Sequence, residues 1–238
     1  MASRTVGVVL RLWRYPVKSM LGERLDALDI DARGVVGDRL FALRDAAGKF
    51  GSGKSTRRFR RIDGLFGFSS LYEGDVPVIV FPDGHRQRGD APGIHAALSA
   101  AVGQPVTLAR EAAISHLDAG PLHLLTTASL AWLAAGVPDA VVDERRFRPN
   151  LVIAAPGARP VEHEWLGKAL SIDGRVTLRV RATAERCAMV TFAQSDLPDD
   201  PRILRHIVDA ADLQLGVYAD VIASGQIRCG DVLTVVDE

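Results

Sequence analysis

The sequence predicts a β-rich α+β fold, with a barrel-like N-terminal lobe and a few peripheral helices. Three observations carry this. Short apolar runs recur at close intervals, each ended by Gly, Asp or Pro, as in small barrels. Helical periodicity is confined to three stretches. Neither an internal repeat nor a sustained βαβ alternation is present, which argues against a doubly wound parallel sheet.

Taken in order, residues 6–15 read as a first strand, and Pro16-Val17-Lys18-Ser19 as the turn that leaves it. Residues 25–30 and 39–43 read as short strands separated by Arg33-Gly34-Val35-Val36-Gly37-Asp38, and Asp45-Ala46-Ala47-Gly48 as a hairpin turn. A further strand is expected over 76–81, ended by Pro82-Asp83-Gly84. A helix over 93–102 turns Ile94, Ala97, Leu98 and Ala101 inward. A second, over 127–135, is capped by Thr126 or Thr127 and stopped by Gly136 and Pro138. The third, over 201–211, repeats Ile203, Leu204, Ile207 and Val208 at helical spacing. Residues 151–154, 176–182, 189–192, 218–223 and 232–236 are strand-like. A composition break at Arg110-Glu111-Ala112-Ala113 marks the expected domain boundary.

The chain has 238 residues, of which 47% are hydrophobic and 24% charged, the composition of a soluble globular protein. Its 29 Lys and Arg balance 29 Asp and Glu, so no overall field favours nucleic acid or an anionic membrane. Any anion site has to be built locally. Two cysteines, Cys187 and Cys229, make no disulfide framework. The N-terminus lacks a signal-peptide pattern, and the longest uncharged run, 119–138, is interrupted by Gly and Pro. A cytoplasmic protein is expected.

Gly48-Lys49-Phe50-Gly51-Ser52-Gly53-Lys54-Ser55 satisfies the phosphate-loop pattern. That loop works only between a buried strand and a helix beginning at the Lys-Ser pair. Here polar residues 44–47 precede it, and Thr56-Arg57-Arg58-Phe59-Arg60-Arg61 follows with no apolar helical face. It reads as a solvated basic loop, or as a flexible basic loop near the mouth of an anion site. With Phe59 as its one aromatic residue, it also lacks the stacking platform of single-strand binders.

Two further segments carry chemistry. Cys187 lies in Glu185-Arg186-Cys187-Ala188-Met189-Val190-Thr191, downstream of Arg146-Phe147-Arg148-Pro149-Asn150-Leu151. A thiol beside an arginine is a candidate soft metal ligand or nucleophile, and equally a small buried hydrophobe. Arg148 offers a charged fork and Asn150 an amide, groups suited to a phosphate and a heterocycle edge. Alternation puts Arg148 and Asn150 on one face. Equally, they form a loop entering the next strand. Cys229, in Arg228-Cys229-Gly230-Asp231, reads as structural, and His123 and His163 have no metal-ligand spacing.

Together these segments resemble the MOSC family, the molybdenum cofactor sulfurase C-terminal domain, and the resemblance covers essentially the whole chain. It implies an N-terminal β-barrel region over 1–110 and a MOSC β-barrel domain over 111–238. It also implies the molybdenum cofactor, a pyranopterin dithiolene, with Cys187 as catalytic residue and metal ligand. Tyr15-Pro16-Val17-Lys18-Ser19 matches the motif whose Lys and Ser contact the cofactor phosphate. Gly37-Asp38-Arg39 matches the Asp-Arg that brings an arginine to it. Arg148 and Asn150 match the Arg-Pro-Asn of the MOSC half, Tyr218 a tyrosine near the cofactor, and Asp118 a further position around it. After the cysteine, many relatives read Thr-Thr-Val-Asp-Pro where this chain has Met189-Val190-Thr191-Phe192-Ala193-Gln194, so substrate access differs.

The implied activity is an oxidoreductase that reduces N-hydroxylated or N-oxide compounds. Two cysteines hold no iron–sulfur cluster, and no flavin or haem motif is present, so electrons have to come from separate redox proteins. A small-molecule substrate is expected, without nucleic acid or membrane. The alternative is a cofactor-binding or sulfur-carrier protein with Cys187 as a persulfide site.

Overall fold

The computed structural model describes residues 3–236. Strand Ser3–Arg14 organises the fold because its length lets it pair in three directions. It runs antiparallel to Val232–Val236, to Leu151–Ala154 and to the short Glu23–Leu25. Its alternation turns Val9 and Leu12 into the core, while Val8 and Leu10 face out. The register shifts at two places along it, which bends the strand around the barrel. Gly7 sits at one of these shifts. A Cβ there would lie 2.5 Å from Ile153 and 2.6 Å from the Ala154 carbonyl oxygen, so only glycine fits.

Seven strands close the barrel. From Leu151–Ala154 the order runs through Leu122–Thr126, Gln214–Ala223, Val176–Glu185, Ala169–Ile172, Val232–Val236 and Ser3–Arg14, and back to Leu151–Ala154. All pairs are antiparallel except Leu122–Thr126 with Leu151–Ala154. The interior is aliphatic: Leu12, Leu124, Ile153, Leu170, Leu178, Val217 and Leu233 pack in one cluster. Closure leaves no free edge, so the fold is strand-rich and sealed.

A second lobe carries smaller sheets. One orders Thr107–Arg110, Phe41–Arg44, Phe50–Ser52 and Phe59–Arg61, and another Arg86–Arg88, Val76–Val80 and Ser69–Glu73. Helix Ile94–Val102 covers their shared core of Val17, Leu43, Ile62, Phe68, Ile79 and Leu98. A third cluster gathers helices Thr127–Gly136 and Pro201–Ala211 on the barrel wall through Leu133, Ile203, Ile207 and Leu215. Thr126 caps the first of these by accepting from the Ser129 N–H, and Asp200 caps the second from Arg202.

The three helices and strands 151–154 and 232–236 lie where periodicity puts them. The expected strand over 25–30 instead divides between Glu23–Leu25 and Ala27–Asp31, which join different sheets. The strand expected from 39 starts at Phe41, because Arg39 is left-handed (φ 49°). The larger difference is at 189–192, which forms a 3-10 turn over Ala188–Thr191 and not a strand. Val190 N–H donates to the Cys187 carbonyl, and the Thr191 hydroxyl to that of Ala188. These local bonds override the β propensity of Met-Val-Thr-Phe. Among the described residues, no helix is long and apolar enough to cross a membrane.

Candidate functional site

The chain leaves the barrel core at Leu12 and enters the second lobe's core at Val17, so Tyr15 to Ser19 cross the seam between them. Other segments meet them there. Asp38 and Arg39 precede strand Phe41–Arg44, Asp118 precedes Leu122–Thr126, and Arg148 precedes Leu151–Ala154. Sequence spacings of up to about 130 residues thus close into one cluster.

The cluster is cationic and buried. Lys18 Nζ pairs with Asp118 and donates to the His116 carbonyl at 2.9 Å. Arg39 pairs with Asp38, lies 3.1 Å from Asp118 and donates to the Arg148 carbonyl at 3.2 Å. Asp38 also accepts from the Tyr15 N–H at 2.7 Å, which fixes the turn. Two guanidiniums approach the Tyr15 ring, Arg148 at 4.2 Å and Arg39 at 4.9 Å from its centre.

Arg148 has no carboxylate within ion-pair distance among the described residues. It donates to the Met20 carbonyl, and its Nη2 is buried without a partner. Arg186 likewise has no carboxylate within ion-pair distance among the described residues, but none of its nitrogens is orphaned. Its guanidinium is spent on the carbonyls of Leu215 and Phe147 and on His123 Nε2. Four buried cations, Lys18, Arg39, Arg148 and Arg186, therefore share two carboxylates, Asp38 and Asp118.

The titrations follow from this imbalance. Burial pushes the Asp118 carboxyl up, but Lys18 and Arg39 override it and hold the group well below the carboxylate range. Asp118 still keeps 43% of its side chain exposed, so it stands at the mouth of the cluster. Burial lowers Lys18 against the pull of Asp118, and burial with Arg39 brings Arg148 down to about 10. His123 is held neutral by burial and by Arg186. Its Nε2 accepts from Arg186 while a backbone bond joins the ring to Arg148.

Three of the residues singled out from sequence are left-handed: Ser19 (φ 65°), Arg39 (φ 49°) and Arg148 (φ 55°). Non-glycine residues hold this conformation at a cost of about 1–3 kcal/mol each, and only where the surroundings over-determine it. Arg148 shows how. Its N–H donates to Glu144 and Arg145, and its carbonyl is gripped by Arg39. The expected alternation of Arg148 and Asn150 on one face fails for this reason, since the backbone between them is not extended.

Asn150 faces the barrel. Its Oδ1 accepts from the His123 N–H at 3.1 Å, and its Nδ2 donates to the Trp13 carbonyl at 3.3 Å. Ser19 is buried, and its hydroxyl has no hydrogen-bond partner among the described residues. Tyr218 is half-buried beside His123, their rings 5.4 Å apart. Burial raises its phenol; Arg186 and Arg39 oppose this, and Asp118 and Cys187 add to it. Cys187 caps the 3-10 turn, half-buried and with a free thiol. It lies in the electrostatic reach of both Arg186 and Tyr218. Lys18, Arg39, Asp118 and Arg148 are thus in direct contact, with Tyr218 and Cys187 alongside.

The MOSC domain model matches residues 111–234, and the model for the MOSC N-terminal beta barrel domain matches 6–65. The chain belongs to the MOSC family. That membership relates it in general terms to the molybdenum cofactor. The YuaD protein from Bacillus subtilis superposes with a TM-score of 0.55 at 15% identity, over 98% of this chain and 97% of that one. At that identity the likeness concerns the fold alone. YiiM from Geobacillus stearothermophilus aligns over 50% of this chain and 55% of its own, at 19% identity and a TM-score of 0.37. No curated protein matches the chain.

Five participants, Arg186 among them, are not site residues in the sequence reading. Asp38 and Tyr15 lie inside the motifs quoted there, next to the residues chosen. His116 and His123 carry no local signal, because a lone histidine reveals nothing until its neighbours are known. Phe59 and Lys54 of the glycine-rich loop pair with each other at 5.4 Å from ring centre to Nζ. No helix follows Ser55; the segment Phe59–Arg61 is a strand.

The cluster's donors fit an anionic organic cofactor. Arg148 Nη2 lacks a partner, the Ser19 hydroxyl is free, and the excess positive charge is buried. Each of these matches what a phosphate supplies. Among the described residues, no three His, Cys, Asp or Glu stand together as a metal-binding set.

Proposed function

We propose that the protein is a molybdenum-cofactor oxidoreductase that reduces N-hydroxylated or N-oxide compounds, with Cys187 as a sulfur ligand to the metal. One observation carries the reading. Buried cations in excess of their carboxylates, with an orphaned guanidinium nitrogen, stand beside a half-buried free thiol in a MOSC chain.

Lys18, Ser19, Arg39 and Arg148 would hold the phosphate, and the Cys187 thiolate would complete the metal's sulfur ligands. When bound, the cofactor supplies two-electron redox chemistry at a metal already rich in sulfur. The chain contributes positioning. Arg39 clamps the strained Arg148 carbonyl, and Asp118 orients Lys18 from the mouth. Tyr218, its pKa raised, keeps its Oη proton and remains a donor toward the cofactor or substrate. Asn150 supports the site by fixing the two strands that carry His123 and Trp13. Reduction of an N–OH group consumes two electrons and two protons and releases water. The electrons would come from separate redox proteins.

The test uses the two free cysteines as an internal pair. In protein from a host that makes the cofactor, Cys187→Ala should bring N-hydroxy reduction with an artificial donor down to background. Cys229→Ala should retain it, because Cys229 packs against the barrel core with its thiol on the Leu25 carbonyl, away from the cluster. Full activity in the Cys187 variant contradicts the reading. Labile sulfur on Cys187 of metal-free protein would instead favour a sulfur carrier.

A further inference from the structure

A cavity of about 380 Å³ adjoins the cationic cluster and is not part of it. Ile62, Leu65, Phe66, Met189 and Phe192 give it apolar walls. It touches the cluster from two directions. Phe66 lines the cavity, and its ring lies 5.9 Å from the Arg148 guanidinium. Met189 lines it from the turn that Cys187 caps, and its sulfur accepts from the Ser52 hydroxyl at 3.4 Å. Gly53 completes that wall, where a Cβ would lie 2.5 Å from the Phe192 ring. Small-molecule sites have this size and this mostly apolar lining.

The polar groups of the lining define one charge. Arg61 and Asp63 neutralise each other at 2.7 Å. Asp199 also lines the cavity, and among the described residues its carboxylate has no hydrogen bond or ion pair. Arg146 lies within its electrostatic reach but is held by the carbonyls of Val190, Phe192 and Pro198. An apolar chamber with one carboxylate that has no hydrogen-bonded cation therefore complements a molecule with an apolar body and one cationic nitrogen.

We infer that this cavity is the organic-substrate site, and that it selects an aromatic or alkyl skeleton carrying a cationic nitrogen group over neutral and anionic counterparts. The inference deepens the proposed function and rests on it, since it seats the carbon skeleton of the reducible compound beside Cys187. Selection by charge operates here through Asp199, and selection by bulk through Phe66, Met189 and Phe192.

Benzylammonium, benzyl alcohol and benzoate share one ring and differ in charge, so calorimetric titration of the full chain with each reads the preference directly. The expected order of affinity is cation, alcohol, anion. Asp199→Asn should weaken benzylammonium by about threefold to fivefold, the size of a partly exposed ion pair, and leave benzyl alcohol unchanged. Ala193→Phe, which adds bulk at the cavity wall, should weaken all three, with thermal melting to verify the fold. No saturable binding by any probe, equal affinity for the three, or an unchanged benzylammonium affinity in Asp199→Asn would overturn the inference. Binding needs no metal, so its failure is distinct from that of the proposed function. A protein that takes up molybdenum but not benzylammonium retains the reading and loses this cavity, and the converse outcome does the opposite.

Discussion

Two basic regions of this molecule teach opposite lessons. The run 54–61 is the densest positive stretch in the sequence, yet its charges are exposed and, Arg57 apart, locally answered. Arg60 pairs with Asp45 at 2.7 Å and Arg61 with Asp63 at 2.7 Å, while Lys54 and Arg58 rest on aromatic rings. The seam cluster has no density in sequence at all. Its cations come from four distant segments, are buried, and outnumber their carboxylates. Charge in water is screened and worth little, whereas charge out of water has to be answered by a partner. The buried set therefore marks the site, and the visible run borders it, with the Phe59 ring 5.5 Å from Lys18 Nζ.

The largest effect that tests this contrast comes from removing a paired buried charge. Arg39→Ala leaves Asp38, which is wholly buried, without its cation. It should destabilise the fold by about 3–5 kcal/mol in urea unfolding. A loss under 1 kcal/mol would mean that the cluster is wetter than described.

Acid tests the same interior. His116 is buried against Arg44, with Nε2 3.1 Å from it, and burial followed by Arg44 lowers its pKa from 6.5 to about 4. Between those values the unfolded chain binds more protons than the folded one, so stability rises with pH. This contribution is complete above pH 6.5 and is lost as pH falls to 4. The melting temperature should decline across that window, and His116→Asn should flatten the slope. An unchanged slope would contradict the burial of this ring.

Arg148 sharpens the comparison further, because it is buried and has no carboxylate partner. Arg148→Met should change stability by no more than about 1 kcal/mol, or raise it, since a desolvated cation is replaced by an apolar chain. Cofactor retention should nevertheless be lost. The smallest effects belong to the exposed run. Arg61→Ala should shift stability by less than about 0.5 kcal/mol. Lys54→Ala should leave nucleotide binding unchanged, and saturable ATP binding abolished by that change would restore the phosphate-loop reading.

The contrast also explains what was legible in the sequence. Helices with strong periodicity, such as that over Pro201–Ala211, and uniformly apolar strands such as Leu151–Ala154 are set by local pattern. The strand pairing of Ser3–Arg14 with both Leu151–Ala154 and Val232–Val236 is not, because closing a barrel is a long-range event. Ser19, Arg39 and Arg148 are reachable through motifs, but their left-handed backbones are not, since no local residue demands φ > 0 there. The turn after Cys187 is not legible either, because its residues have strand propensity. Strand Val176–Glu185 ends where its pairing with Gln214 ends, and the chain then folds on its own hydrogen bonds.

The central claim is that the buried cations at the seam hold an anionic, metal-bearing cofactor. Elemental analysis of protein produced in a host competent for molybdenum cofactor synthesis tests it most directly, with wild type and Arg148→Met measured in parallel. The account predicts molybdenum and phosphorus near one equivalent in the wild type and strong depletion of both in the variant, with both proteins folded. Wild-type protein without molybdenum, or equal loading of the two, would contradict it.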